Sequence, residues 1–303
     1  MSSLLEKASS YDVLNFAWKK LKNDKAIWTQ GISKKEMESN FVYHILKLSD
    51  ELRTGTYKPD TVRFFPVTKG NGKQRIISAH TLRDKMAQRA LLTVLEPIFE
   101  KQFHNDSFGY RPGRSVNMAI AKVKEYIKCD LTWIVDADIK NYFDNIPHKA
   151  LLKILKSKIR DRKVMNLIKG WLDAGTVRKG FLSTTKGVPQ GAVLSPLFCN
   201  VYLTKWDYDM AGNNLPFVRF ADDFLIFTNN KQNAEKAYKY TEKSLNYLNL
   251  ALNPEKTQIV KCGPHVTFLG QKLPKIYNNI RVNFSGIKKQ KYSNNKQIRS
   301  FNL

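Results

Sequence analysis

The amino-acid sequence predicts an α+β fold in which an antiparallel β-sheet is backed by helices. Segments with helical periodicity and β-rich segments follow one another without the regular βαβ rhythm of a doubly wound parallel sheet. Two β-rich runs also flank the adjacent carboxylates Asp222 and Asp223, which is the pattern of a hairpin. With 303 residues, 42% of them hydrophobic, the chain can bury a sizeable core as one compact unit or as two joined subdomains.

The first part of the chain predicts a β-hairpin followed by two helices. Residues 61–67 and 74–78 are β-rich and are separated by a glycine and Asn-Gly cluster that is typical of a turn. From Leu82 to Phe99 the apolar residues recur at helical spacing, and residues 116–127 repeat that pattern. Ser115 precedes the second helix and is a suitable N-cap, because its hydroxyl can accept a hydrogen bond from the first turn.

The later part of the chain predicts one strand, one hairpin and two more helices. Residues 131–139 are β-rich and lead into a turn and a helix near 148–157. A β-turn-β pattern at 217–228 is followed by a helix whose apolar face runs from Ala234 to Leu248. These strands are the expected components of the antiparallel sheet.

The net charge is the first indication of function. The chain has 51 Lys and Arg against 26 Asp and Glu, a formal charge of +25, which favours a polyanionic partner. Surface lysines of an ordinary soluble protein are the alternative explanation. Residues 271–303 contain eight basic residues and no acidic residue, a composition that suits contact with a phosphate backbone.

Three scattered cysteines and the lack of a long apolar run limit the class of protein. Cys129, Cys199 and Cys262 have no C-x-x-C spacing, which argues against a disulfide framework and a structural zinc site and favours a reducing compartment. No stretch approaches ~18 consecutive apolar residues, and the N-terminus lacks the pattern of a signal peptide. We therefore expect a soluble, cytoplasmic protein with no membrane partner.

Three aspartates are the candidate catalytic residues. Asp222 and Asp223 repel each other at the predicted hairpin tip unless a cation neutralises them, although most Asp-Asp pairs are solvated turns. Asp138 ends the predicted strand 131–139, and carboxylates from separate strands can hold the two Mg²⁺ ions of a phosphoryl-transfer site. Asp136 and Asp144 are nearby alternatives, the first as a solvated strand residue and the second as a cap of the next turn or helix.

Two further segments could approach a nucleotide. The sequence GVPQGAVLSP at 187–196 has glycines that permit close backbone approach, and it contains Gln190. The hairpin near residue 70 presents Lys69, Lys73 and Arg75, and the planar fork of arginine matches phosphate oxygens. Either segment alone is equally compatible with an ordinary turn or a solvated basic hairpin.

Together these segments resemble the reverse transcriptase family, and in particular its bacterial group II intron-like branch. The resemblance covers about Thr61 to Leu273. It is carried, in order, by KGNGKQRIIS, LRDKMAQRALL, FGYRPGRSVNMAI, DADIKNYFDNIPH, GVPQGAVLSPLFCNVYL, FADDFLIF, LNPEKTQIV and FLGQKL.

This resemblance implies a right-hand polymerase with fingers and palm and with a thumb that is absent or truncated. It implies four domain segments: 1–60, an N-terminal helical extension; 61–130, the fingers; 131–273, the palm, with a fingers segment inserted near 150–185; and 274–303, a basic C-terminal tail or thumb remnant. The short stretch after Leu269 is the reason for expecting a reduced thumb. A protein partner or an oligomer could then help to hold the duplex.

The resemblance also implies roles for individual residues. Asp138, the carbonyl of Ile139, Asp222 and, as a weaker ligand, Asp223 would hold two Mg²⁺ ions, for which Mn²⁺ can substitute. The dNTP would be bound by Lys69, Lys73, Arg75, Asn141, Tyr142, Phe143, Gln190 and Lys256. Within this set, Phe143 would exclude a 2′-hydroxyl and Lys256 would assist the leaving pyrophosphate. Primer and template would contact Phe220, Phe268, Leu269 and Gly270. Phe220 departs from the usual tyrosine, and Asn141 departs from the usual glycine or serine.

The implied function is RNA-directed DNA polymerisation. The expected partners are an RNA template, a DNA or RNA primer, and dNTPs. A dedicated non-coding RNA is a further candidate partner. Retron and diversity-generating enzymes carry different residues where this chain has Gln190-Gly191. We expect a role in antiphage defence or another domesticated role. The alternatives are an RNA-binding splicing cofactor or scaffold, a template-independent nucleotidyltransferase, and an RNA-templated RNA polymerase, which the bulky Phe143 disfavours.

Overall fold

A computed structural model describes residues 3–24, 31–68, 72, 74–175 and 185–276. Within these residues the chain forms eleven helices and eight strands. The helices are α1 Leu4–Ala8, α2 Tyr11–Leu21, α3 Lys34–Ser39, α4 Phe41–Thr54, α5 Leu82–Glu100, α6 Val116–Lys128, α7 Tyr142–Asn145, α8 His148–Lys158, α9 Arg162–Ala174, α10 Ser195–Gly212 and α11 Lys231–Tyr247. The strands are β1 Arg63–Thr68, β2 Gln74–Ala79, β3 Trp133–Asp138, β4 Phe217–Phe220, β5 Asp223–Thr228, β6 Gln258–Lys261, β7 Thr267–Phe268 and β8 Gln271–Lys272.

The chain divides into two compact units. Unit 1 comprises Met1–Phe103 and Phe143–Tyr202, and unit 2 comprises His104–Tyr142 and Leu203–Leu303. Unit 1 contains the antiparallel β1–β2 hairpin and most of the helices. Unit 2 contains a four-stranded sheet in the order β4-β5-β3-β6 and the small β7–β8 hairpin.

Every pairing in the four-stranded sheet is antiparallel. Side chains alternate across such a sheet, so each strand contributes to two different cores. On one face the helix α6 contributes Ala119, Ile120 and Val123 to a core that also contains Ile134 and Leu225. On the other face Trp206 of α10 packs its ring against Phe217 and Phe224. The helix α11 also contacts β3, β5 and β6.

Side-chain caps explain where several helices begin. The hydroxyl of Thr81 accepts a hydrogen bond from the Asp84 amide at the start of α5, and Ser115 does the same for Met118 at the start of α6. At the start of α11 the Asn230 side chain accepts from the Asn233 amide. The predicted N-cap at Ser115 is therefore confirmed.

The predicted antiparallel sheet backed by helices is confirmed, and so are the two predicted hairpins. The expected fingers–palm boundary after residue 130 differs from the unit boundary, because the apolar face of α6 packs on β4 and places residues 104–130 with the sheet. The fingers and palm assignments themselves stay predictions. Apart from 274–276, the predicted basic tail or thumb remnant lies outside the described residues.

In the part of the chain that the structure describes, no helix combines the length and apolar character needed to cross a membrane. The three cysteines are all thiols, with Cys199 and Cys262 buried and Cys129 exposed.

Candidate active site

The antiparallel register of unit 2 brings the three candidate aspartates to one end of the sheet. Asp138, the last residue of β3, pairs directly with Asp223, the first residue of β5. Asp222 lies beside them in the two-residue turn between β4 and β5, and its carbonyl accepts a hydrogen bond from the Ile139 amide at 3.3 Å. Two carboxylates therefore face each other across neighbouring strands while a third is adjacent in sequence.

The pKa of Asp223 is raised in this cluster of carboxylates. Desolvation of the carboxyl group, followed by the charges of Asp222 and Asp138, raises the pKa of Asp223 to about 7. Asp223 is exposed as a whole residue, so its carboxyl group is desolvated by its immediate neighbours rather than by deep burial. A cation bound between these carboxylates would remove the repulsion.

Asp138 is held by a loop that follows α11. One carboxylate oxygen accepts a hydrogen bond from Asn253 Nδ2 at 3.2 Å, and the other accepts from Lys256 Nζ at 2.6 Å. The backbone N–H of Asn253 also donates to the backbone carbonyl of Asp138 at 2.8 Å. The hydrogen bond to Asp138 raises the pKa of Lys256, so its ammonium group stays charged beside the cluster.

The donor set fits a hard divalent cation, because carboxylate oxygens are the ligands that Mg²⁺ prefers. Among the described residues, however, no group of three or more His, Cys, Asp or Glu side chains is already arranged as a metal-binding cluster. The ammonium group of Lys256 lies on one of the two carboxylate oxygens of Asp138. Holding a metal at that oxygen therefore requires Lys256 to move, and 59% of its side chain is exposed.

The neighbouring aspartates have other contacts. Asp136 is half-buried and accepts a hydrogen bond from Gln258 Nε2 of β6 at 3.0 Å, and burial raises the pKa of its carboxyl group. Asp144 lies within α7, while α8 begins after Pro147 without a side-chain cap. The expectation that Asp144 caps the helix near Pro147 is therefore wrong at the N-cap position.

A buried ion pair supports the aspartate turn. Arg219 of β4 and Asp207 of α10 have fully buried side chains and form two parallel hydrogen bonds of 2.6 and 2.5 Å. Arg219 Nη1 also donates to the carbonyl of Ala221 at 2.9 Å. Ala221 has a φ of +61°, a left-handed conformation that is unfavourable for a residue with a side chain. The guanidinium group therefore holds the strained residue that precedes Asp222.

The segment FGYRPGRS packs against the same turn. The Phe108 amide donates to the Arg219 carbonyl at 2.8 Å, and the Arg219 amide donates to the Asp106 carbonyl at 2.9 Å. A Cβ atom on Gly109 would lie 2.4 Å from the Ala221 nitrogen and 3.0 Å from the Phe220 carbonyl carbon. Only glycine permits this close approach to the backbone of the turn.

The predicted primer-contacting residues also lie in unit 2. Phe268 is buried in the sheet core, and Phe220 and Leu269 pack against that core. Leu269 and Gly270 form the tight β7–β8 turn, with φ values of +51° and +77°. Phe268 and Phe220 thus anchor their segments to the core, while their contact with primer or template stays a prediction.

In unit 1, two of the predicted nucleotide-binding residues are in contact. Arg75 of β2 donates a hydrogen bond to the Gln190 side chain. The Gln190 carbonyl accepts from the Ser78 amide at 2.7 Å and from the Ser78 hydroxyl at 2.8 Å. Gly191 follows with a φ of +114°, and a Cβ there would lie 2.4 Å from the Ser78 carbonyl oxygen. The loop is thus fixed to β2 through its backbone.

The remaining predicted nucleotide-binding residues differ in their surroundings. Asn141 is exposed with a φ of +46°, whereas Tyr142 and Phe143 are buried. The Phe143 carbonyl accepts from the Val188 amide at 2.7 Å. Lys69 and Lys73 lie outside the described residues.

Comparison with protein families decides the identity of the chain. Residues 67–273 match the model described as reverse transcriptase (RNA-dependent DNA polymerase). The chain belongs to the reverse transcriptase family. It is accordingly an RNA-directed DNA polymerase and a nucleotidyltransferase by family.

Two relatives of the chain support the predicted branch. Protein YkfC of Escherichia coli is 31% identical over 283 residues, which cover 80% of this chain and 74% of that protein. The group II intron-encoded protein LtrA of Lactococcus lactis is 36% identical over 198 residues, which cover 65% of this chain and 33% of LtrA. The resemblance to the group II intron-like branch is confirmed, and the chain spans only about a third of LtrA.

Solved structures support the reverse transcriptase fold. A telomerase from Candida albicans, solved with a fragment of telomeric RNA, matches with a TM-score of 0.55 and 14% identity. The match covers 80% of this chain and 49% of the telomerase chain. At this level of identity the similarity concerns the fold alone.

Sequence reasoning missed four residues around the reverse transcriptase carboxylates. Asn253 was detectable, because it lies three residues before Lys256 in the same motif. Arg219 was detectable as a charge within the apolar run FVRF, and Gly109 as a glycine within a family motif. Asp207 carries no such signal, because its role depends on a partner twelve residues away in a different element.

We predict that Gly109→Ala lowers the rate of nucleotide incorporation about a hundredfold, because the added methyl group displaces the turn that carries Asp222. Single-turnover primer extension measures the rate. Gly212→Ala is the matched control, since a Cβ at Gly212 meets nothing within 4 Å. Equal rates for the two variants would show that the close approach of Gly109 has no effect on the site.

We predict that Asp207→Leu lowers the thermal unfolding midpoint by about 6 °C or more, because it leaves the Arg219 charge buried and unpaired. Combining it with Arg219→Met should restore most of the stability, since two apolar side chains replace the pair. The double variant should remain slow in primer extension, because the Ala221 carbonyl has lost its donor. Full activity in the double variant would contradict this supporting role.

Proposed function

We propose that the chain copies RNA into DNA by adding dNTPs to a primer 3′-hydroxyl at the Asp138, Asp222 and Asp223 cluster, with two Mg²⁺ ions. The observation that carries the proposal is the direct pairing of Asp138 with Asp223 across β3 and β5, beside Asp222. Asp138 ends β3, Asp223 begins β5 and Asp222 lies in the turn before it, and this arrangement supports a shared site for three oxygen-donor side chains. That arrangement suits in-line phosphoryl transfer between a hydroxyl and a triphosphate.

Asp138 and Asp222 are the proposed shared metal ligands, with the Ile139 carbonyl and Asp223 in supporting positions. Bound Mg²⁺, or Mn²⁺ in its place, would activate the primer hydroxyl and neutralise charge on the triphosphate. Asn253 keeps Asp138 in place by bonding both its carboxylate and its carbonyl. The carboxylate can therefore stay oriented after Lys256 leaves it.

Lys256 is the proposed proton donor to the leaving pyrophosphate. Its ammonium group is charged beside Asp138, and its side chain is exposed enough to swing away from the carboxylate. An incoming triphosphate would compete for that positive charge. Proton transfer from Nζ to a pyrophosphate oxygen would then lower the negative charge of the leaving group by one.

The other proposed nucleotide contacts rest on chemistry and on family resemblance. Arg75 would bind triphosphate oxygens, since it already donates to a polar side chain and its guanidinium group suits phosphate. Gln190 would orient the sugar and base from a loop that Ser78 fixes. Phe143 would limit the space at the sugar 2′ position.

The proposed partners are an RNA template, a primer and dNTPs. A scaffold or splicing cofactor without catalysis would have no need of three clustered carboxylates, whose mutual repulsion is costly. The roles in antiphage defence and with a dedicated RNA stay predictions, as does template-independent addition.

We predict that Asp222→Ala reduces dNTP incorporation on primed RNA at least about a thousandfold, because it removes a shared metal ligand. Purified proteins and a radiolabelled primer suffice for the measurement. Asp136→Asn is the matched control, since Asp136 bonds Gln258 outside the cluster and its variant should stay within a few-fold of the parent. Retained polymerisation by Asp222→Ala would refute the proposed site.

We predict that Phe143→Ala raises the use of ribonucleotides relative to dNTPs about tenfold or more, because the smaller side chain opens space at the sugar. The ratio of kcat/KM for matched rNTP and dNTP measures this selectivity. Tyr142→Phe, which keeps the neighbouring ring, is the control. An unchanged ratio in Phe143→Ala would place the selective residue elsewhere.

A further inference from the structure

The helices α8 and α9 of unit 1 present a strongly basic surface that the proposed catalytic site does not use. Residues 148–174 contain eight Lys and Arg against two Asp. Seven of these cations are exposed, and one of them, Lys163, donates a hydrogen bond to the Arg53 carbonyl at 3.1 Å. The other six define what we name the α8–α9 surface: Lys149, Lys153, Lys156, Arg160, Arg162 and Lys169.

The spacing of these cations is regular. On α8, Lys149, Lys153 and Lys156 follow at i, i+4 and i+7, which aligns them along one side of the helix over about 10 Å. On α9, Arg162 and Lys169 are likewise seven residues apart. Each stripe lies opposite a buried apolar face, which includes Leu151 and Leu155 on α8. Arg160 lies in the short connection between the two helices.

Asp161, one of the two acidic residues of this segment, bonds backbone amides rather than the six cations of the α8–α9 surface. Asp161 caps α9 by accepting from the Lys163 and Val164 amides, and it also accepts from the Leu5 amide at 3.1 Å. In the described portion of the chain, no hydrogen bond or ion pair joins any of the six α8–α9 side chains to another protein group. Six positive charges are thus available to an external partner.

A comparison with α11 separates this surface from the general lysine content of the chain. Four lysines of α11 alternate with Glu235 and Glu242, so positive and negative charge are interspersed. The helix α8 has four lysines and no acidic residue. Solubility requires charge, but it does not require a one-signed stripe on two successive helices.

The chemistry of the α8–α9 surface favours a phosphate backbone over other polyanions. An amphipathic membrane helix inserts an apolar face, whereas the apolar faces of α8 and α9 are already buried in the protein. Protein interfaces usually place aromatic anchors among their charges, whereas the other exposed residues of 148–174 are Ser157, Lys163 and Asn166, none of which is aromatic. A regular row of cations instead matches the dense, regular charge of structured RNA.

We infer that the α8–α9 surface, whose residues are separate from the proposed catalytic residues, binds the phosphate backbone of double-stranded RNA. This inference rests on the proposed function, because it gives the template-bearing RNA a second attachment point. Binding is electrostatic and independent of sequence, so it weakens steeply as salt is added. Its loss reduces attachment of long structured RNA and leaves the chemical step intact.

The test compares the full chain with two triple variants. Lys149→Gln/Lys153→Gln/Lys156→Gln removes three charges from α8, and Lys231→Gln/Lys239→Gln/Lys243→Gln removes three exposed charges from α11. Fluorescence anisotropy with a blunt-ended RNA hairpin gives affinity over a range of KCl concentrations. Circular dichroism verifies folding, and Arg162→Gln/Lys169→Gln replaces the α8 variant if it does not fold.

The α8 variant is expected to bind the hairpin about tenfold or more weakly at near-physiological salt, with the slope of log K against log salt smaller by about 2 to 3. The α11 variant is expected to differ little from the parent. Equal losses in both variants would overturn the inference, because any surface lysine would then serve. Unchanged RNA affinity with lost binding to phosphatidylserine vesicles would also overturn it, in favour of a membrane.

Primer extension on a short primed template distinguishes this inference from the proposed function. Both variants should extend the short primer within about twofold of the parent, because their substitutions leave Asp138, Asp222 and Asp223 and the residues that hold them unchanged. A parent that binds the hairpin through α8 but incorporates no nucleotide would remove the proposed function and retain this inference. A parent that polymerises but shows no α8 effect would do the reverse.

Discussion

Mutual repulsion among three carboxylates is the constraint on which the site depends. The antiparallel register of β3 and β5 brings Asp138 and Asp223 directly opposite each other, and the tight turn adds Asp222. Desolvation, followed by the charges of Asp222 and Asp138, raises the pKa of Asp223 to about 7. Lys256 offsets part of this negative charge through Asp138, while Asn253 fixes the same carboxylate. A structure that maintains such repulsion is suited to receive cations, which is the basis of the proposed catalysis.

The strained turn that carries Asp222 is stabilised by Arg219, Asp207 and Gly109. Ala221 has a left-handed backbone, which is stabilised by a hydrogen bond from a fully buried Arg219. Asp207 neutralises the arginine, and Gly109 lets a neighbouring segment approach the turn backbone closely. Residues without a proposed role in the chemistry therefore position the turn that carries Asp222, one of the proposed catalytic aspartates. A buried ion pair rarely adds much stability, but here it fixes the conformation of the residue next to Asp222.

Much of the fold and of the site could be predicted from the sequence, and what was missed has a common physical cause. Period-2 and helical patterns located β1 to β5 and the helices α5, α6, α8 and α11, and the adjacency of Asp222 and Asp223 marked the hairpin tip. They did not locate α9, α10 or the strands β6 to β8. The contacts of Asp207 with Arg219 and of Gly109 with Ala221 depend on tertiary packing, which leaves no local pattern. The contact between Lys256 and Asp138 was also not predicted. The two residues are far apart in sequence, and their attraction depends on the fold that brings them together.

The central claim is that the aspartate cluster of this reverse transcriptase performs templated DNA synthesis. Sequencing the products that the purified chain makes from dNTPs on a primed RNA of mixed sequence, with Mg²⁺ present, tests that claim most directly. The account predicts DNA products that extend the primer and are complementary to the RNA. Extensions unrelated to the template, or no extension with either Mg²⁺ or Mn²⁺, would contradict it.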